Sequence, residues 1–125
     1  MIDHVSVGVA DLGRAASFYE AALAPLGLIR LVERPTTVGF GKGYPEFWIN
    51  LRSGMIPMPA EIGTHICLRA RTADQVDAFH DAALNMGGRS DGAPGPRPEY
   101  HPSYYAAFIF DPDGNRIEVV TFLKD

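Results

Sequence analysis

Apolar and polar residues alternate along residues 2–9, and the pattern returns along 64–70, where Val5, Val7 and Val9 are answered by Ile66, Leu68 and Ala70. A period of two marks a strand with one face buried. The spacing then becomes helical. After Asp11, a helix-capping residue type, Ala15, Phe18, Tyr19 and Ala22 share one face, and Pro25 and Gly27 end the run near residue 24. Val76, Phe79, Ala83 and Leu84 share a face after Thr72-Ala73-Asp74-Gln75, which has the capping-box form, and Gly87-Gly88 stops that helix. Three shorter strands are expected after each helix. They fall near 28–34, 37–41 and 46–52, then near 89–91, 104–110 and 116–123. Residues 93–98 read as an irregular loop, because their prolines cannot donate to a ladder. Asp111-Pro112-Asp113-Gly114-Asn115 reads as the turn between the last two strands.

These elements repeat. At one constant offset His4 falls on His65, Phe18 on Phe79, Glu20 on Asp81 and Gly27 on Gly88. Two copies are too few for a solenoid and suit a pseudo-twofold α+β domain. One domain over 1–125 is therefore expected, with βαβββ modules at about 1–53 and 63–125 joined by a Pro- and Met-rich linker. Trp48-Ile49-Asn50-Leu51 aligns with Arg116-Ile117-Glu118-Val119, so Asn50 is the counterpart of Glu118. In each of these strands the apolar face can pack under a helix. The opposite faces then carry His4, Asn50, His65 and Glu118, which converge if the sheet curves into a trough.

Composition narrows the function. The 125 residues hold 15 acidic and 11 Lys or Arg side chains, a net charge of −4 without a basic run, which argues against a nucleic-acid partner. The longest apolar stretch, Tyr104 to Phe110, falls far short of the ~20 residues of a membrane span. Neither a signal-peptide pattern nor a cysteine pair is present, Cys67 standing alone. A soluble cytoplasmic domain is the simplest expectation.

Two imidazoles and a carboxylate form a metal-ligand set. His4, His65 and Glu118 suit a divalent Zn, Ni, Fe or Mn ion, and Asn50 is a weaker, neutral donor facing metal, water or substrate. Trp48 and Tyr105, the latter from the cluster Tyr100, Tyr104 and Tyr105, are candidates to line a pocket for a small-molecule substrate. Arg52, Arg69 and Arg116 share the trough face and can grip an anionic group. His101, in the extra loop of the second module, is a candidate acid or base over the pocket. Cys67 also faces the trough, where a small buried residue is the simpler reading, and His80 on the second helix is assigned no role.

The segments His4-Val5-Ser6-Val7, Asp11-Leu12, Phe18-Tyr19, Gly63-Thr64-His65-Ile66 and Asp111-Pro112-Asp113-Gly114-Asn115-Arg116-Ile117-Glu118 resemble the vicinal oxygen chelate superfamily across nearly the whole chain. That superfamily includes glyoxalase I, extradiol dioxygenases, fosfomycin-resistance transferases and bleomycin-resistance proteins. The resemblance implies paired βαβββ modules in a half-open, barrel-like sheet with helices outside, and metal ligands at His4, His65 and Glu118. It also implies a homodimer; if modules pair across chains, His4 and His65 of one site come from different protomers. Asn50 replaces the fourth ligand of glyoxalase I, a Glu, which leaves Glu118 as the one catalytic carboxylate able to move a proton. Phe108 stands where extradiol dioxygenases place a Tyr. The expectation is a metal-dependent lyase or isomerase acting on a small oxygen-bearing organic molecule. The alternatives are an extradiol-type Fe(II) dioxygenase and a metal-free protein that sequesters a ligand or drug.

Overall fold

The computed structural model describes residues 1–124. Strand β1 (Val5–Val9) leads into helix α1 (Leu12–Leu23), then β2 (Ile29–Arg34), β3 (Thr37–Gly41) and β4 (Pro45–Leu51). The second module repeats the order with β5 (His65–Arg69), α2 (Ala73–Asn85), β6 (Arg89–Pro96), β7 (Tyr104–Phe110) and β8 (Arg116–Phe122). Each helix starts where its cap residue stands. The Asp11 carboxylate accepts the Arg14 N–H at 3.0 Å, and the Thr72 hydroxyl accepts that of Gln75 at 3.2 Å.

Each module folds its own four-stranded mixed sheet, in the orders β1-β4-β3-β2 and β5-β8-β7-β6. In both, the first strand runs parallel to the last, setting Gly8 beside Asn50 and Cys67 beside Glu118. The two sheets share no ladder, so the barrel is not closed within the chain. Helix α1 covers one face of the first sheet and α2 one face of the second, and the helices pack on each other. Phe18, Tyr19, Phe79, Ile109 and Ile117 are fully buried in the shared core. The opposite face of each sheet is where the polar residues stand.

Two elements depart from the sequence expectation. Strand β1 begins at Val5, so His4 lies just ahead of it. Strand β6 runs on through Pro96, where a loop was expected. It is an edge strand, and its register slips twice, between Ser90 and Gly92 and between Gly92 and Gly95. An edge leaves one row of backbone groups unpaired, and bulges absorb the prolines there.

The turn from Asp111 to Asn115 ties the modules together. The buried Tyr19 hydroxyl donates to Asp111 Oδ2 at 2.6 Å, and the Asn115 amide donates to the Gly8 carbonyl at 2.9 Å. Asp113 Oδ1 accepts both the Ala10 N–H and Arg14 Nη2, each at 3.1 Å. Gly114 is required: its φ is +89°, and a Cβ there would lie 2.6 Å from the Met58 carbonyl oxygen.

Candidate functional site

The proposed ligands fall into two separate places. The first is a trough of about 350 Å³ on the open face of the first sheet, lined by His4, Ser6, Arg34, Thr37, Tyr44, Trp48 and Asn50. His4 Nδ1 donates to Asp3 Oδ1 at 2.6 Å. The carboxylate can only accept, so Nδ1 is the donor, and Nε2 has no protein partner among the described residues. A carboxylate bound to the far nitrogen is the usual support of a metal-binding imidazole. The Tyr44 hydroxyl donates to the same carboxylate, at 2.9 and 3.0 Å from its two oxygens. Hydrogen bonds from His4, and then from Tyr44, hold the Asp3 carboxyl below its ordinary range. The Thr37 hydroxyl lies 2.8 Å from the Asn50 carbonyl oxygen and 3.0 Å from the Ile49 carbonyl, sharing its one proton between them, and the Asn50 N–H groups have no protein acceptor among the described residues.

The second place lies on the open face of the second sheet. His65 Nε2 and Glu118 Oε1 are 3.0 Å apart, and the Tyr104 hydroxyl donates to Glu118 Oε2. The Glu118 side chain is only 4% exposed, whereas that of His65 is 42% exposed. A carboxylate so deeply placed must be held by hydrogen bonds, and both of its oxygens are. Burial, and then the bond to Glu118, push the Tyr104 phenol above its ordinary value. Cys67, the neighbour of Glu118 in the β5–β8 register, is exposed, where a small buried residue was expected. Desolvation, and after it the neighbouring Glu118 carboxylate, push its thiol up to about 12. Beside this cluster opens a wider trough lined by His65, Asp91, Gly92, Arg97, Tyr100, Phe108 and Arg116.

Several proposed substrate contacts lie elsewhere or are already engaged. Tyr105 faces α2 rather than the trough, donating to Asp77 at 2.7 Å, because alternation along β7 gives the trough face to Tyr104 and Phe108. Arg116 lies in the second trough, but its guanidinium sits 2.8 Å from Asp91 and donates to the Ala60 carbonyl. Arg69 stacks over Phe122, and Arg52 donates to its neighbour's carbonyl. His101 packs edge-on against Phe122, its Nδ1 accepting the Ser103 N–H at 3.0 Å. Trp48 does face the first trough, lying so close over Gly39 that a Cβ there would meet its ring at 2.9 Å.

Sequence reading overlooked Asp3, Tyr44 and Arg34 and did not single out Tyr104 from its cluster. Asp3 was detectable as the acid adjoining His4, and Tyr104 by its parity with Phe108. Tyr44 and Arg34 reach the trough from loop and hairpin positions that no periodicity marks.

A two-module α+β protein with polar troughs on paired βαβββ sheets is the class defined by this geometry. Residues 1–119 match the sequence profile of the Glyoxalase/Bleomycin resistance protein/Dioxygenase superfamily, and the chain belongs to that superfamily. A glyoxalase/bleomycin resistance protein from Albidiferax ferrireducens is 32% identical, with 94% of this chain and 96% of that chain covered and a TM-score of 0.83. A glyoxalase/bleomycin resistance protein/dioxygenase family enzyme from Burkholderia phytofirmans shares the fold at 18% identity, with 98% of each chain covered and a TM-score of 0.70. A glyoxalase I variant from Zea mays also shares the fold, at 22% identity and a TM-score of 0.73; 94% of this chain covers 45% of that longer one. No curated protein matches the chain significantly. No helix among the described residues is long and apolar enough to cross a membrane.

Proposed function

We propose that two copies of the chain pair so that the first-module trough of one faces the second-module trough of the other. The composite site would hold a divalent metal ion and act as a lyase or isomerase on a small oxygen-bearing organic molecule. The observation that carries this reading is the division of the ligands. One chain offers His65 with the buried Glu118 on one sheet face, and the Asp3-braced His4 on another. Among the described residues no three His, Cys, Asp or Glu side chains gather where a metal could sit. A transition-metal site takes three or more protein donors, so one chain does not fit the ion. Two chains supply His4, His65 and Glu118 together.

His4, His65 and Glu118 would hold the ion, which would supply Lewis-acid stabilisation of negative charge. The remaining roles belong to side chains. Glu118 is the carboxylate available for proton transfer, since the Asn50 amide has no useful basicity. Tyr104 fixes the Glu118 carboxylate by donating to one of its oxygens. Trp48 forms a wall of the trough, and Asn50 presents amide donors. Phe108, opposite Glu118 in the β7–β8 register, brings no hydroxyl, which favours lyase or isomerase chemistry over ring cleavage.

One observation favours a second reading, a metal-free ligand-binding protein of the same fold. Both Glu118 oxygens are already satisfied by His65 and Tyr104, so the cluster is stable without a cation. Elemental mass spectrometry on untagged protein separates the two. We expect near-stoichiometric Zn, Ni, Fe or Mn in the wild type and a drop of at least tenfold in His65→Ala and Glu118→Gln. Absence of metal after reconstitution would leave the binding-protein reading.

A further inference from the structure

The structure assigns to Arg34 and Asn50 an anion-binding subsite in the first trough, and hence to the ligand of this site an oxyanion group, a carboxylate or a phosphate. This rests on the trough being half of the site proposed above, and it names the class of molecule that site accepts. Arg34 ends β2 at the hairpin to β3, where the ladder pairs it with Thr37. Its guanidinium lies over the Trp48 ring, 5.5 Å from the ring centroid, and lines the trough beside Thr37 and Asn50. Arg34 is exposed, and this cation–π contact leaves its N–H groups available.

Those donors have no protein acceptor among the described residues. Among the described residues Arg34 forms no ion pair, whereas Arg30 is held by Glu20 and Glu33, Arg14 by Asp113 and Arg116 by Asp91. Glu33, the neighbouring acid, is turned to Arg30. Asp3, which does not line the trough, already accepts from His4 and Tyr44, which do. The Asn50 amide adds further donors without a protein acceptor among the described residues. A planar cation and an amide lining one trough suit the forked acceptors of an oxyanion. The face of Trp48 supplies apolar surface for the body of the same molecule.

Trp48 is the sole tryptophan, so its fluorescence reports on this trough alone. Benzoate, inorganic phosphate and the neutral isostere benzamide would be titrated into wild-type protein with chelator present. We expect saturable quenching by an anion, with benzamide at least tenfold weaker. The ratio of benzoate to phosphate tells a carboxylate ligand from a phosphate one. Arg34→Gln should abolish the preference for the anion, and Arg34→Lys should recover part of it. Equal binding of benzoate and benzamide, or an unchanged preference in Arg34→Gln, would overturn the subsite. Metal content measured in Arg34→Gln, which removes no proposed metal ligand, keeps the two claims apart. Anion selectivity in a protein that takes up no metal would refute the metal reading alone. Metal uptake with unchanged selectivity in Arg34→Gln would refute the subsite alone.

Discussion

Asp111→Ala should cost about 4 kcal/mol of stability and lower the melting temperature by about 15 °C, far more than a typical surface change. The Asp111 carboxylate accepts the Tyr19 hydroxyl, the Asn115 side-chain amide and the N–H groups of Asp113 and Asn115. Alanine leaves all four donors without this acceptor, and the bonds from the fully enclosed Tyr19 hydroxyl and from the Asp113 N–H are buried. The loss also reaches across the modules, because Tyr19 belongs to α1 and the turn belongs to the second sheet. Asp111→Asn retains an acceptor and should cost less than half as much. The two variants should differ in pH dependence too. Burial raises the Asp111 carboxyl above its ordinary 3.8 despite the bonds it accepts. The folded chain therefore holds that proton more tightly than the unfolded one. As the pH rises through the window just above 3.8, this group's contribution to stability falls, and in Asp111→Asn that fall disappears. Chemical denaturation at several pH values checks both statements. An Asp111→Ala protein within 1 kcal/mol of the wild type would show that the turn does not hold the modules together.

The same turn shows how far the sequence could be read. Asp111-Pro112-Asp113-Gly114-Asn115 declares a turn by local chemistry alone. Nothing in that local pattern says that its carboxylates reach α1, because the partners lie far along the chain. Helix and strand positions followed from periodicity, and the internal repeat placed His4, His65, Asn50 and Glu118 on open sheet faces. Alternation has no term for edges or bulges, so the proline-bearing half of β6 was read as a loop. It also cannot tell which of two adjacent tyrosines points inward. Tyr105 went to Asp77 and Tyr104 to Glu118, a choice set by the β7–β8 register. Arginine roles were least legible of all. Arg116 shares a sheet face with Glu118 and is nonetheless neutralised by Asp91 on another strand. Arg34 has no such partner among the described residues, which no pattern in the sequence shows.

Mixing two defective variants should restore metal binding that neither shows alone. In the proposed assembly His4 comes from one chain and His65 from its partner. A His4→Ala homodimer lacks that ligand in both sites, and a His65→Ala homodimer lacks the other in both. A heterodimer of the two places both defects in one site and leaves the other site whole. Random assortment makes half of the dimers heterodimers, each with one intact site of two. Metal content should therefore rise from near zero to about a quarter of the wild-type value on co-expression. Both histidine side chains are about half exposed, so neither truncation opens a cavity in the core. Elemental analysis of the co-purified mixture, with sedimentation to confirm the dimer, gives the result without any knowledge of the substrate. A site built within one chain predicts the opposite: every chain in the mixture then lacks one ligand, and no pairing can repair it. Recovery near a quarter would establish the exchange of half-sites, and metal content fixed at the level of either variant would refute it.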